Sequence, residues 1–105
     1  MNRTLGELSA LVAKVSDIYA ERNGIARDDD WYALKLQEEL GELIAEYLRG
    51  SQRGRLKGAD AAAVRLSLED ETADVLAMIL LFARQHRIDL DGALQRKWFK
   101  HLPQA

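Results

Sequence analysis

Glu38, Glu39 and Glu42 in the segment KLQEELGELIAEYL, and Glu71 and Asp74 in EDETADVLAMILL, are the residues of this chain best suited to chemistry. Spacings of three and four residues put each group on one face of a helix. Two acidic faces brought together repel unless something positive sits between them. A hard divalent cation such as Mg²⁺ is the natural occupant, because it prefers carboxylate oxygens and brings phosphate substrates with it. The pattern therefore points to metal-dependent phosphate chemistry.

Phosphate oxygens not held by metal need cationic donors. Lys35 lies one turn before Glu39 on the same arc. It either reaches a phosphate or pairs with Glu39 at i, i+4 on a solvated face. Arg96, Lys97 and Lys100 fall in the last helical segment, where basic residues also suit the helix macrodipole. Trp31, just upstream of the acidic face, and Trp98 are candidate stacking platforms for a nucleobase, or packing residues at helix ends. His86 and His101 are isolated and make no metal-ligand pair.

Helices must position these groups. The sole proline is Pro103, and no segment alternates as a strand would. A first helix is predicted over about residues 4–22, with Leu5, Leu8, Leu11, Val12, Val15, Ile18 and Tyr19 as its core stripe. Asp28, Asp29 and Asp30 offer a cap for a second helix over about residues 31–49, with Leu36, Leu40, Leu43, Ile44, Tyr47 and Leu48 inward. The glycine-punctuated RGSQRGRLKGAD reads as a mobile loop, whose Arg53, Arg55 and Lys57 could close over a substrate.

A third helix follows, capped by Asp60 or by the box beginning at Ser67, and ends near Arg87. It is apolar all round from Val75 to Ala83, which places the carboxylates of Asp70, Glu71 and Asp74, one turn toward the N-terminus, at the mouth of a packed interior. Asp89 caps a fourth helix through about Lys100. The expected fold is all-α: an antiparallel four-helix bundle with helices shared in an oligomer.

Composition excludes several classes. A 105-residue chain is one small domain, and its formal net charge of −2 gives no broad attraction to nucleic acid polymers or anionic membranes. No cysteine is present, which removes disulfides, thiol catalysis and thiolate metal sites. The N-terminal segment lacks the apolar block of a signal peptide, and the longest apolar run is the nine residues from Val75 to Ala83, too short for a bilayer. A cytoplasmic setting is expected.

KLQEELGELIAEYL followed by LEDETADVLAMILLFARQHRIDLDGALQRKW resembles the MazG-like, all-α nucleotide pyrophosphohydrolases, which carry EExxE on one helix and ExxD on the next. Glu38-Glu39-Leu40-Gly41-Glu42 and Glu71-Thr72-Ala73-Asp74 match both motifs, and the likeness runs from about Trp31 to Trp98. It implies hydrolysis of nucleoside triphosphates between the α and β phosphates, with Mg²⁺ as cofactor or Mn²⁺ in its place. It further implies Glu39, Glu42, Glu71 and Asp74 as the metal ligands, and Glu38 as an additional ligand or the base that orients water. Lys97 matches the position where the family tends to place a phosphate-binding lysine. Homodimers or homotetramers are implied as well. Five carboxylates exceed what one Mg²⁺ uses when it keeps waters and phosphate oxygens, so more than one ion is expected. Two rival expectations remain: phosphoribosyl-ATP hydrolysis, which shares fold and motifs, and a non-catalytic helical interaction module.

Overall fold

The computed structural model describes residues 2–51 and 60–103. Four α-helices follow in order: α1 (Leu5–Asn23), α2 (Asp29–Gly50), α3 (Ala61–Gln85) and α4 (Leu90–Lys97), with a 3-10 turn over Phe99–His101. No strand occurs among the described residues, and no helix there is long and apolar enough to cross a membrane. Of the segment read as a glycine-rich loop, Arg49 and Gly50 belong to the end of α2 and Asp60 caps α3, while residues 52–59, with Arg53, Arg55 and Lys57, lie outside the described residues.

Each helix begins on a side-chain oxygen that satisfies an otherwise orphaned amide. Thr4 and Glu7 form a reciprocal box: Glu7 N donates to Thr4 Oγ1 at 3.1 Å, and Thr4 N donates to Glu7 Oε1 at 2.9 Å. Asp28 accepts from Trp31 N at 2.8 Å, Asp60 from Ala63 N at 2.7 Å and Asp89 from Gly92 N at 3.1 Å. Asp60, rather than Ser67, therefore starts α3. Gly24 ends α1 in the left-handed region at φ 61°, a conformation with no steric cost for glycine.

Helices α2 and α3 form an antiparallel hairpin. At one end Gln85 Nε2 donates to Asp29 Oδ1 at 2.8 Å. At the other, a Cβ on Gly50 would stand 3.4 Å from Val64 Cγ1. Helix α1 meets the C-terminal third of α3, where Arg84 Nη1 reaches Ser9 Oγ at 3.4 Å. Arg27, in the α1–α2 connection, folds back to Ser16 Oγ at 2.7 Å and Asp17 Oδ1 at 2.8 Å. The shared core is Tyr32, Met78 and Leu81, with Val12, Ala13, Trp31, Leu36 and Phe82 packed around it. Helix α4 borders an open cavity of about 540 Å³ with the start of α1 and the end of α3.

The apolar stripes predicted as core are only partly covered. Leu8 and Val12 of α1, and Leu36, Leu43 and Leu48 of α2, are half-buried. Leu5, Leu11, Val15, Ile18 and Tyr19 are exposed, as are Leu40, Ile44 and Tyr47. The reason is geometric. Each of these stripes is wider than the single neighbouring helix available to cover it. In the run Val75–Ala83, Met78, Leu80, Leu81 and Ala83 are buried and Val75, Ala77 and Phe82 half-buried, but Leu76 and Ile79 are exposed, so one side of the all-apolar segment is left uncovered.

Candidate metal centre

The i, i+3 and i, i+4 periodicity of α2 carries Trp31, Lys35, Glu38, Glu39 and Glu42 along one side of the helix, and Glu71 and Asp74 of α3 come up against it. Two groups of three result: Glu38, Glu39 and Glu42, and Glu39, Glu71 and Asp74. Within each, one carboxylate oxygen per residue lies within 4.8 Å of the others. Glu39 belongs to both, so five carboxylates from two helices form one continuous acidic site. All five predicted acidic residues are thus brought together.

Burial makes the arrangement electrostatically demanding. Glu39 and Glu71 are half-buried, and the Oε2 atom of each is shut off from solvent with no hydrogen-bond partner. Burial pushes the Glu39 carboxyl above its usual range, and the negative charges of Glu42 and Asp74 push it further. The Glu71 carboxyl is raised in the same way, by burial first, then by Glu42, Asp74 and Glu46. Glu42 stands within hydrogen-bonding reach of both. Crowding of this kind favours uptake of a proton or of a cation.

The nearby cations do little to relieve it. Lys35 is paired with Glu38, Nζ to Oε2 at 3.4 Å, rather than with Glu39 as i, i+4 spacing suggested. Its pull on Glu39 is the weakest of the influences there. Arg49 pairs with Glu46 at 2.9 Å, which commits Glu46 to an ion pair beside the cluster. Arg84, about 15 Å along α3 from Asp74, turns to Ser9 instead. Hard oxygen donors with two buried, unpartnered atoms suit a divalent cation such as Mg²⁺ or Mn²⁺.

The acidic site opens into a cleft of about 480 Å³. Glu39, Asp74 and Lys35 form its polar end, and Trp31, Tyr19, Leu11, Val15, Met78 and Leu81 its apolar walls. Trp31 also packs edge-on against Tyr32, ring centroids 5.0 Å apart, which fixes the plane it presents. Lys97 lies in the last turn of α4 and is not among the residues lining this cleft. His86 is exposed and leans on Phe82 at 4.5 Å, and His101 is exposed too. Asp70, expected beside Glu71 and Asp74, is instead exposed and stands outside both acidic groups.

Tyr19 and Ser16 of α1 were not legible as cleft residues. The stripe Leu11–Val15–Tyr19 has helical core spacing, and only the tertiary arrangement turns it into a cleft wall. Compared with known proteins, the chain matches no family model, no curated protein and no solved structure.

Proposed function

We propose that this chain is a Mg²⁺-dependent nucleotide pyrophosphohydrolase of a cytoplasmic nucleotide pool, splitting nucleoside triphosphates into a monophosphate and pyrophosphate. The observation that carries the reading is the pair of buried, unpartnered oxygens on Glu39 and Glu71, at the centre of five carboxylates beside an apolar, tryptophan-bearing cleft. That combination suits a ligand with a polyanionic end and an aromatic end. The resemblance to MazG-like enzymes in EExxE and ExxD agrees with it.

Glu39, Glu42, Glu71 and Asp74 would hold the cation, which when bound neutralises phosphate charge and acidifies coordinated water. The chain's own residues supply the rest. Glu38, exposed at the edge of the cluster, accepts a proton from the attacking water and orients it. Water oxygen bonds to the α phosphorus, the bond from that phosphorus to the α–β bridging oxygen breaks, and pyrophosphate leaves with the electron pair. Lys35 exchanges its long contact to Glu38 for a phosphate oxygen. The base lies against Trp31 and the apolar walls, where stacking contributes on the order of 1–3 kcal/mol.

The test is pyrophosphate release from ribo- and deoxyribonucleoside triphosphates, with and without Mg²⁺, by the wild type and Glu42→Gln. Metal-dependent release, lost in the variant, is expected. Turnover of phosphoribosyl-ATP alone would move the assignment to histidine synthesis. A folded protein silent on every substrate, with no thermal response to Mg²⁺, would leave an interaction module.

A further inference from the structure

Ser16 of α1 lines the cleft together with Trp31, and Arg27 Nη1 stands 2.7 Å from its Oγ. A guanidinium has only donors and a permanent charge, so Ser16 Oγ is the acceptor in this bond. The hydroxyl's own proton remains to be placed. Ser51 and Thr72 donate theirs to the Leu48 and Leu68 carbonyls. Ser16 Oγ donates to nothing among the described residues. Rotation about Cβ–Oγ turns that proton away from the guanidinium, and the cleft is the space the residue borders.

Arg27 makes the group a one-way donor. Its charge strengthens the O–H as a donor and weakens the remaining lone pair as an acceptor. Arg27 is itself held by Asp17 Oδ1 at 2.8 Å, with 21% of its side chain exposed. Next to it, Asp28 accepts from Trp31 N at 2.8 Å. Hydroxyl and indole are thereby fixed to one short piece of backbone. The indole N–H of Trp31 is likewise a donor only. The remaining neutral hydroxyl of the cleft belongs to Tyr19, a residue 60% exposed, where water can satisfy it.

The cleft has polarity along its length. Glu39, its carboxylate on α2, lies ten residues from Asp29, about 15 Å along the helix. Ser16 is tied by Arg27 to the chain just before that helix starts. A nucleotide whose phosphates meet the carboxylate end therefore turns the far edge of its base toward Ser16. The exocyclic group on that edge is an oxygen in hypoxanthine and uracil, and an amino group in adenine and cytosine.

We infer that Ser16, polarised by Arg27, selects bases that present a carbonyl oxygen at that edge, so that oxo bases are preferred to their amino counterparts. The inference rests on the proposed reading of the cleft as a nucleotide site, and it does not require the chain to hydrolyse what it binds. An amino group in the same place sets N–H against O–H and leaves a half-buried donor unpaired.

Calorimetric titration of the wild type with nucleoside monophosphates tests it apart from turnover. IMP should bind about tenfold more tightly than AMP, and UMP about tenfold more tightly than CMP. Ser16→Ala should bring the members of each pair to equal affinity, chiefly by weakening the oxo partner, with helical circular dichroism unchanged. Should that variant not fold, Ser16→Cys, whose thiol is a weak donor, takes its place with the same expectation. Equal affinities within both wild-type pairs, a preference that survives the substitution, or no binding of any of the four at millimolar concentration overturns the inference. A Ser16-dependent preference in a chain that releases no pyrophosphate from any triphosphate would sink the proposed activity and leave this inference standing. Metal-dependent turnover with equal binding within both pairs does the reverse.

Discussion

Glu39 on α2 and Glu71 on α3 each turn an Oε2 atom into the helix interface, where neither meets a donor. An unpaired buried carboxylate is costly to a small domain, and the charges of Glu42 and Asp74 raise that cost for both. The interface therefore sets stability against site chemistry.

Millimolar Mg²⁺ should stabilise the wild type. Ligand at 100 times its dissociation constant adds about 2.7 kcal/mol. For a domain of this size each kcal/mol raises Tm by about 4–8 °C. Differential scanning fluorimetry with and without Mg²⁺ measures it. Asp74→Asn should abolish most of the shift, and an unchanged wild-type Tm would remove the cation from the site.

Glu71→Gln separates the two sides of the opposition. Without divalent cation the amide removes a charge from the cluster and should raise Tm above wild type. With Mg²⁺ the order should reverse, because one ligand is gone. Glu42→Gln should cost turnover roughly a hundredfold or more, the scale seen when one group that stabilises transition-state charge is removed.

The pH dependence has a definite sign. The Glu39 and Glu71 carboxyls titrate above the ordinary 4.5 in the folded chain, so the native state binds protons the unfolded chain has released. Their contribution is fully present below pH 4.5 and is lost as pH rises through the raised values. Glu7, lowered from 4.5 by its bonds to Thr4, contributes oppositely: its share is present above 4.5 and lost on acidification. Urea unfolding of metal-free wild type and Glu39→Gln across this range should give a steeper loss with rising pH in the wild type. Saturating Mg²⁺ should flatten that difference.

Much of this organisation was legible beforehand. Asp89 caps α4 as read, and Asp28 and Asp60 were each among the candidates for their helices, because capping is local and needs only the next three residues. The convergence of Glu39 with Glu71 and Asp74 could be anticipated from two acidic arcs on successive helices. Which partner Lys35 chooses could not: i, i+3 and i, i+4 are nearly equivalent on a helix, and only the structure shows Glu39 half-buried with one oxygen shut off from solvent while Glu38 stays exposed. The exposure of Ile44 and the cleft-lining role of Tyr19 were equally hidden, since apolar spacing records that a face is to be covered and not by what.

The helix starts carry their own prediction. Thr4→Ala removes one half of the reciprocal box with Glu7 and should cost about 1 kcal/mol in urea unfolding, while leaving Mg²⁺ stabilisation intact. Loss of the Mg²⁺ response in this variant would tie α1 to the metal site more tightly than its packing indicates.

The hairpin of α2 and α3 is pinned at one end by Gln85 and Asp29, and like charges press on it farther along. It is a pair of tongs with a spring between the jaws. Amide protons of residues 38–46 and 67–75 then report the jaw position, exchanging quickly when the spring is uncompensated and slowly once it is neutralised. Those beside the pinned end keep one rate throughout. Protection spreading from the middle of the hairpin rather than from its ends would be the kinetic trace of a cation closing the tongs.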